Sequence, residues 1–445
     1  MKRKTLKGVF EMSVSRRDLL KATGVGVALA ATGGAFNFTF AKTTDTLNLP
    51  KPSKGSPRVV IVGGGWSGST LAKYIKKNDP NIDVVLIEKN NVFMSCPVSN
   101  LWLVDLVDLE FLIHDHLKAA DKYGYHFVNA EVHDIDRKKR VVYTSLGKLH
   151  YDYLVLATGI DYDYSQWVGT DPKDIEIAMK RYPAAFKPGE EHFQLKKKIR
   201  DFEEGNFVIT VPPGIDYRCI PGPYERATLI AWYFKQNNIP GKVILLDPHN
   251  DPPVKAEGFH KAWNEYVKGY IEYYPQTDIK EVDFGKKRIV TSLGDFDFTD
   301  LNLYPRCKSA PLVYKAGLVP KGDRWPALRW PWYMAQADER IFCTGDARNQ
   351  PFSKSGNTAN SEAHIVADLI VKLAHGKSMD YKPPRTLCYS GVDKGKAVWV
   401  DLTYKYDPKK NEFAFHNVKM DNNPTEANWK AYLEWAKAMY RDMFS

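Results

Sequence analysis

The stretch Gly63-Gly64-Gly65-Trp66-Ser67-Gly68 holds Gly63, Gly65 and Gly68 at the spacing G-x-G-x-x-G, and Glu88 stands about 20 residues further on. Each position has a physical task in holding a dinucleotide. Gly63 permits a tight turn, Gly65 lets the backbone approach a pyrophosphate, Gly68 allows close helix-to-strand packing, and Glu88 can accept hydrogen bonds from ribose hydroxyls. Two later triplets, Ala157-Thr158-Gly159 and Thr344-Gly345-Asp346, each close an apolar run. Asp346 can accept hydrogen bonds from a ribityl chain, and Gly159 and Gly345 let the backbone come close to it. In this order behind the first motif, the triplets favour FAD over NAD.

The five cysteines are the second reactive set: Cys96, Cys219, Cys307, Cys343 and Cys388. An odd number cannot all be paired. No C-x-x-C-H occurs, so no haem is expected on this chain, and no metal site is assigned. Cys343 ends the apolar run Ile341-Phe342-Cys343 and reads as a small core residue, whereas Cys307 offers no chemistry. Cys219 sits just before a helix expected from Pro223. It is either a redox thiol whose thiolate the helix N-terminus stabilises, or an inert or structural one. The same turn, Val211 to Pro223, holds four prolines where a nicotinamide site needs glycines and free N–H groups, which argues against NAD(P)H as a partner.

These residues need elements to carry them. Val59–Val62 is a continuous apolar strand, Ser67–Lys77 has helical spacing, and Val84–Ile87 is a second strand ending at Glu88, together a βαβ unit. A second such unit follows, with Phe207–Val211 as strand, Pro223–Gln236 as helix and Lys242–Asp247 as strand. Arg340–Cys343 as a strand, Asn360–Ala374 as a helix closed by Gly376, strand-like pieces from Ala397 to Phe415 and a terminal helix complete the chain. The fold class is α/β: two Rossmann-like nucleotide-binding domains of the disulfide-reductase type plus an α+β C-terminal domain. The expected divisions are a leader at 1–41, a linker at 42–57, an FAD-binding domain in two parts at 58–165 and 300–385, a second nucleotide-type domain at 166–299, and a C-terminal domain at 386–445.

A chain of 445 residues with 44% apolar and 26% charged residues is globular, and its net charge of +10 at first suggests an anionic partner. The excess is unevenly placed. Residues 1–41 hold seven Lys and Arg against two acidic residues, so half of it belongs to the leader and no nucleic-acid partner is expected. Within the leader, Ser15-Arg16-Arg17-Asp18-Leu19-Leu20-Lys21 precedes a weakly apolar run and Ala41, an export signal of the twin-arginine kind. That route carries folded, often cofactor-loaded proteins, so a periplasmic location is expected, with no later stretch apolar enough to span a bilayer.

Several pieces resemble one family, the flavoprotein subunit of flavocytochrome c sulfide dehydrogenase, related to sulfide:quinone oxidoreductases and disulfide reductases. They are the leader, the first glycine motif, Cys96-Pro97-Val98-Ser99-Asn100, Arg218 to Ala227, Pro351 to Asn360, and Thr386-Leu387-Cys388-Tyr389-Ser390. The resemblance implies FAD bonded covalently to Cys96 through the 8α-methyl group, and a redox-active disulfide between Cys219 and Cys388. It further implies that Glu225 handles protons, that hydrosulfide is the substrate, and that the acceptor is a separate c-type cytochrome held as a heterodimer. Two other readings remain open. One is a quinone-reducing enzyme whose C-terminal helix, with Trp429, Tyr432, Leu433, Ala436, Tyr440 and Met443 on one face, lies on a membrane. The other is a flavin-binding accessory protein that reactivates a sulfur carrier.

Overall fold

The computed structural model describes residues 45–349 and 351–445; the expected leader at 1–41 lies outside them. Five parallel strands make the centre of the first sheet, in the order Asp338–Cys343, Tyr153–Leu156, Arg58–Val62, Asp83–Glu88 and His126–Asn129. Short antiparallel pieces, Leu328–Arg329 and Met334–Ala335, extend one edge. Their uninterrupted apolar character follows from burial on both faces. Val59, Ile61, Val84 and Leu86 enter one core, while Val60, Val62, Val85 and Ile87 enter another, the period of two of a strand. The chain leaves this sheet after Leu156 and returns at Leu328, so the domain is built from two separate stretches of sequence.

The second sheet is also parallel, ordered Ile271–Tyr274, Gly241–Leu246, Gly205–Thr210 and Asp300–Asn302. Its crossover helix, Gly222–Gln236, buries nearly every residue because strands and neighbouring helices surround it. Asp300–Asn302, expected in the returning FAD segment, belongs here instead. Phe207, Val208 and Ile209 pair with Asp300, Leu301 and Asn302, so the second unit extends past 299. Arg306–Ser309 then pairs antiparallel with Ile160–Asp163 and carries the chain back.

Two further expectations change. Residues 42–57 were expected as a linker, but Asp45–Leu49 lies along the Gly147–His150 strand, with Leu47 N–H donating to Lys148 O (2.9 Å) and Lys148 N–H to Asp45 O (2.8 Å). Leu47 and Leu49 alternate with polar residues and pack against the second core, which is why this segment docks. The helix expected from Asn360 starts at Gly356, because Ser355 caps it by accepting from Thr358 N–H at 3.3 Å.

The C-terminal part is an antiparallel meander, Arg385–Asp393, Lys396–Asp407 and Glu412–Thr425, followed by the helix Glu426–Phe444. Tyr432, Ala436, Tyr440, Met443 and Phe444 turn this helix inward. Lys73 in the Trp66–Asn78 helix donates to the carbonyls of Asp442 (2.7 Å) and Ser445 (2.9 Å). The Asp442 carboxylate accepts from Tyr74 (2.6 Å), Asn360 (2.8 Å) and His364 (3.0 Å), so two helices of the first domain, Trp66–Asn78 and Gly356–Ala374, hold the end of the chain. No helix of the described residues is long and apolar enough to cross a membrane.

Asp442 is partly buried, which disfavours its charge, but those three partners outweigh burial and hold its carboxyl below the usual range. A depressed folded value means the stabilisation is complete above an unfolded pKa of about 4 and is lost as pH falls below it. Asp442→Ala is expected to lower the unfolding free energy by about 2 kcal/mol at neutral pH. In denaturant titrations the wild-type advantage should shrink progressively below about pH 4.

Candidate active site

The carboxyl ends of the first sheet's strands gather every residue of the glycine motif and its companions, at the point where strand order reverses on either side of Arg58–Val62. Gly63 has φ +105°, and a Cβ there would lie 2.5 Å from Ala157 O. Gly68 packs so closely that a Cβ would come within 1.8 Å of Gly63 O. A Cβ on Gly65, by contrast, would meet only open space at the N-terminus of the Trp66–Asn78 helix, where no side chain caps and no acidic residue stands. Glu88 accepts from Gly64 N–H at 2.6 Å and from Asn90. Gly159 (φ +72°) and Gly345 (φ +61°) line the same mouth.

This geometry fits FAD. Asp346 Oδ1 and Thr158 Oγ1 are buried without a hydrogen-bond partner, the atoms expected to receive a ribityl and isoalloxazine neighbour. The Asp346 turn is rigid, since Gly345 N–H donates to Glu362 (2.9 Å) and Arg348 forms a fully buried ion pair with the same carboxylate (2.5 Å).

From the second unit, the turn before the Gly222–Gln236 helix reaches into this mouth. Arg218 donates through Nε to Asp346 Oδ2 and through Nη1 to Phe186 O (2.6 Å), and Cys219 N–H donates to Lys354 O at 2.7 Å. Cys219 adopts φ +58°. From the C-terminal meander, the Arg385–Asp393 strand brings Cys388 against it. All five cysteines are free thiols in this structure, and the Cys219 and Cys388 sulfurs hydrogen-bond each other. Cys343 and Cys307 are fully buried in the core, Cys307 beside Tyr304 Oη at 3.5 Å.

The two thiols are not equivalent. Of the two readings the sequence left open for Cys219, the one in which the helix N-terminus stabilises a thiolate does not hold in this reduced pair: its hydrogen bond to Cys388 and its burial raise it well above the ordinary thiol value. Cys388 is lowered instead, by that hydrogen bond and by the Lys255 ammonium, whose Nζ lies 3.7 Å from its sulfur. A unit charge at hydrogen-bond range outweighs the half charge of a helix end. Lys255 has no motif that would have marked it; only the fold brings it here.

Glu225, in the first turn of the helix, is buried with the pair. Its carboxylate accepts from Gly391 N–H (2.7 Å), Asn100 Nδ2 (2.9 Å) and Tyr432 Oη (3.3 Å). Arg226 beside it is fully buried and donates to Asn100, Asn302 and the carbonyls of Ala184 and Ala185. Cys96 lies in the turn after Phe93–Met94, where Ser99 hydrogen-bonds its thiol and in turn contacts His192 Nε2 at 3.1 Å. Burial raises the Cys96 thiol, while Arg218 and Arg226 oppose that rise. Cys96, Cys219, Cys388 and Glu225 are thus brought into one neighbourhood, with Glu88 and the glycine motif at the remote end of the cradle.

Burial pushes Glu225 up to about 7, against the opposing effects of Asn100, Lys255 and Gly391 N–H. A carboxyl raised in the folded state binds more protons there than when unfolded, so its contribution to stability falls as pH rises from about 4.5 to about 7. Glu225→Gln removes that slope. Unfolding titrations should show the variant gaining on the wild type by roughly 3 kcal/mol across this window.

Residues 57–180 match the family described as pyridine nucleotide-disulphide oxidoreductase, and residues 193–305 match that described as sulfide dehydrogenase (flavocytochrome c) flavoprotein chain, central. The sulfide dehydrogenase flavoprotein chain of Chlorobaculum thiosulfatiphilum is 52% identical over 46 residues, 96% of that sequence and 10% of this chain. The mitochondrial sulfide:quinone oxidoreductase of Schizosaccharomyces pombe is 22% identical over 397 residues, 80% of this chain and 82% of that protein. The solved structure of the sulfide:quinone oxidoreductase from Aquifex aeolicus superposes with a TM-score of 0.68 at 16% identity, covering 87% of this chain and 92% of that one, a likeness of fold. Carrying the same α/β fold and these matches, the chain belongs to the disulfide-reductase superfamily, in the group that comprises the sulfide dehydrogenase flavoproteins and the sulfide:quinone oxidoreductases.

Proposed function

We propose that this chain is the flavoprotein of a periplasmic sulfide dehydrogenase, which oxidises hydrosulfide at Cys219 and Cys388 and passes electrons to a c-type cytochrome. The observation that carries the reading is the contact between those two sulfurs, flanked by Lys255 and Glu225 at the inner end of the cradle. In the oxidised protein the pair forms a disulfide, and hydrosulfide opens it to leave a persulfide on one cysteine and a thiolate on the other. Glu225, near half-ionised at neutral pH, takes the proton that hydrogen sulfide loses on entry. Gly63, Gly65, Gly68, Glu88, Thr158, Gly159, Gly345 and Asp346 hold the FAD, with Cys96 as its covalent anchor. When bound, FAD supplies a two-electron acceptor able to release electrons singly, as a haem requires.

The quinone-reducing reading draws on the longer matches to sulfide:quinone oxidoreductases. The helix that would lie on a membrane, however, packs its apolar residues against the first domain, and this supports the cytochrome. Arg16 and Arg17 support periplasmic export.

The test is purification from the periplasm followed by stopped-flow mixing with sulfide. Wild type should bleach its flavin and reduce cytochrome c far faster than a short-chain quinone, and NADH should give no bleaching. Cys219→Ser and Cys388→Ser should each abolish sulfide-dependent bleaching while keeping flavin content. Faster quinone reduction, or bleaching retained in either variant, would reject the reading.

Covalent attachment has its own readout. Acid-precipitated wild type should retain yellow colour in the pellet, and Cys96→Ser should release all flavin to the supernatant. Flavin released equally from both proteins would exclude Cys96 as the anchor.

A further inference from the structure

Lys255 is 1% exposed and opens the helix Ala256–Glu265 from a left-handed backbone conformation, φ +62°. Its ammonium donates to Ser390 Oγ at 2.7 Å and lies 3.5 Å from Cys388 O and 3.7 Å from Cys388 Sγ. Among the described residues it makes no ion pair with a carboxylate. A buried ammonium without an ion-pair partner is costly, and a non-glycine residue held at positive φ adds strain. The first of these costs is offset if the sulfur beside it carries a negative charge.

Other charged and titratable groups face the pair from every side. Glu225 comes from the Gly222–Gln236 helix and Tyr432 from the C-terminal helix, while Cys96 and Arg226 act on Cys219. Glu225 stands nearer in effect to the acceptor of a proton than to a partner for Cys388, since its charge opposes a thiolate there. The cationic contact on Cys388 is Lys255, and Cys219 has no comparable one by hydrogen bond.

We propose that Lys255 is a positioning residue that sets the polarity of the pair: its ammonium holds Cys388 as the departing thiolate, so that an incoming sulfur nucleophile attacks Cys219 Sγ. This rests on the reading of the pair as the place of sulfide attack. The step balances without a co-reactant. Hydrosulfide forms a new S–S bond to Cys219 as the Cys219–Cys388 bond breaks, the electron pair of that bond stays on Cys388, and the proton remains on the Cys219 persulfide. The sulfide sulfur is oxidised and the disulfide reduced. Because the thiol with the lower pKa leaves faster, the ammonium beside Cys388 decides which sulfur departs.

The experiment labels the reduced holoenzyme briefly with iodoacetamide between about pH 5 and 9, and quantifies the Cys219 and Cys388 peptides by mass spectrometry. Cys388 should be labelled first, with a midpoint below the ordinary thiol value of about 8.5. Lys255→Gln should raise that midpoint and slow Cys388 labelling about tenfold at neutral pH. Lys255→Arg, which keeps the charge, should restore the profile and controls for variants that lose flavin. Preferential labelling of Cys219 in the wild type, or an unchanged Cys388 profile in Lys255→Gln, overturns the assignment. A second arm maps the persulfide after one equivalent of sulfide meets the oxidised holoenzyme; finding it on Cys388 also overturns it. The labelling arm uses no sulfide. A normal labelling profile with no reaction towards sulfide would therefore reject the sulfide reading while leaving the role of Lys255 at Cys388 standing.

Discussion

The ion pair between Arg218 and Asp346 is the tie on which the site depends. It joins the turn that presents Cys219 to the turn that ends the first sheet, across 128 residues of sequence. Burial alone would disfavour the guanidinium's charge, but the Asp346 carboxylate more than compensates and keeps it charged. Its remaining hydrogen bond to Phe186 O and the bond from Tyr304 Oη to Arg218 O (2.6 Å) leave the segment no other position. Removing one partner of such a pair strands the other charge, which costs more than the pair itself contributes. The pair also uses only one oxygen of Asp346, leaving Oδ1 turned inward and unpartnered for a ligand.

Around this tie the site collects positive charge. Arg218, Arg226 and Lys255 are each buried or nearly so, while Asp346 is engaged and Glu225 sits near its midpoint at neutral pH. A low-dielectric mouth lined in this way favours small anions over neutral or cationic ones. It also explains why the helix N-terminus does not decide which cysteine ionises. Cys219 stands before the helix, but its hydrogen bond to the other sulfur is the largest influence on it and raises it, whereas Cys388 lies within reach of a full ammonium charge.

The C-terminal meander completes the site. Glu225 accepts from Gly391 N–H and Lys255 donates to Ser390, so two residues of the second unit grip the strand that carries Cys388. Lys73 and Tyr74 of the first unit grip the terminal helix at Asp442. The cysteine pair is thus held by three parts of the chain that have no sequence proximity.

Much of the architecture was legible from residue order because local rules determine it. Uninterrupted β-branched runs call for buried parallel strands, glycines at fixed spacing allow the turn and close packing at Gly63 and Gly68, and Cys343 in an apolar run enters the core. The pairing of Asp300–Asn302 with the second sheet was not legible, because three residues carry too little periodicity to name their neighbour. Asp45–Leu49 likewise docks through contacts with a strand about a hundred residues away. Resemblance, rather than spacing, first linked Cys219 with Cys388. Only the tertiary structure decided that Lys255 stands at Cys388 and that Cys388, not Cys219, is the more acidic thiol. The reason is physical: a thiol's acidity depends on charges within a few ångströms, and those charges come from segments that are distant in sequence and meet only when the chain folds.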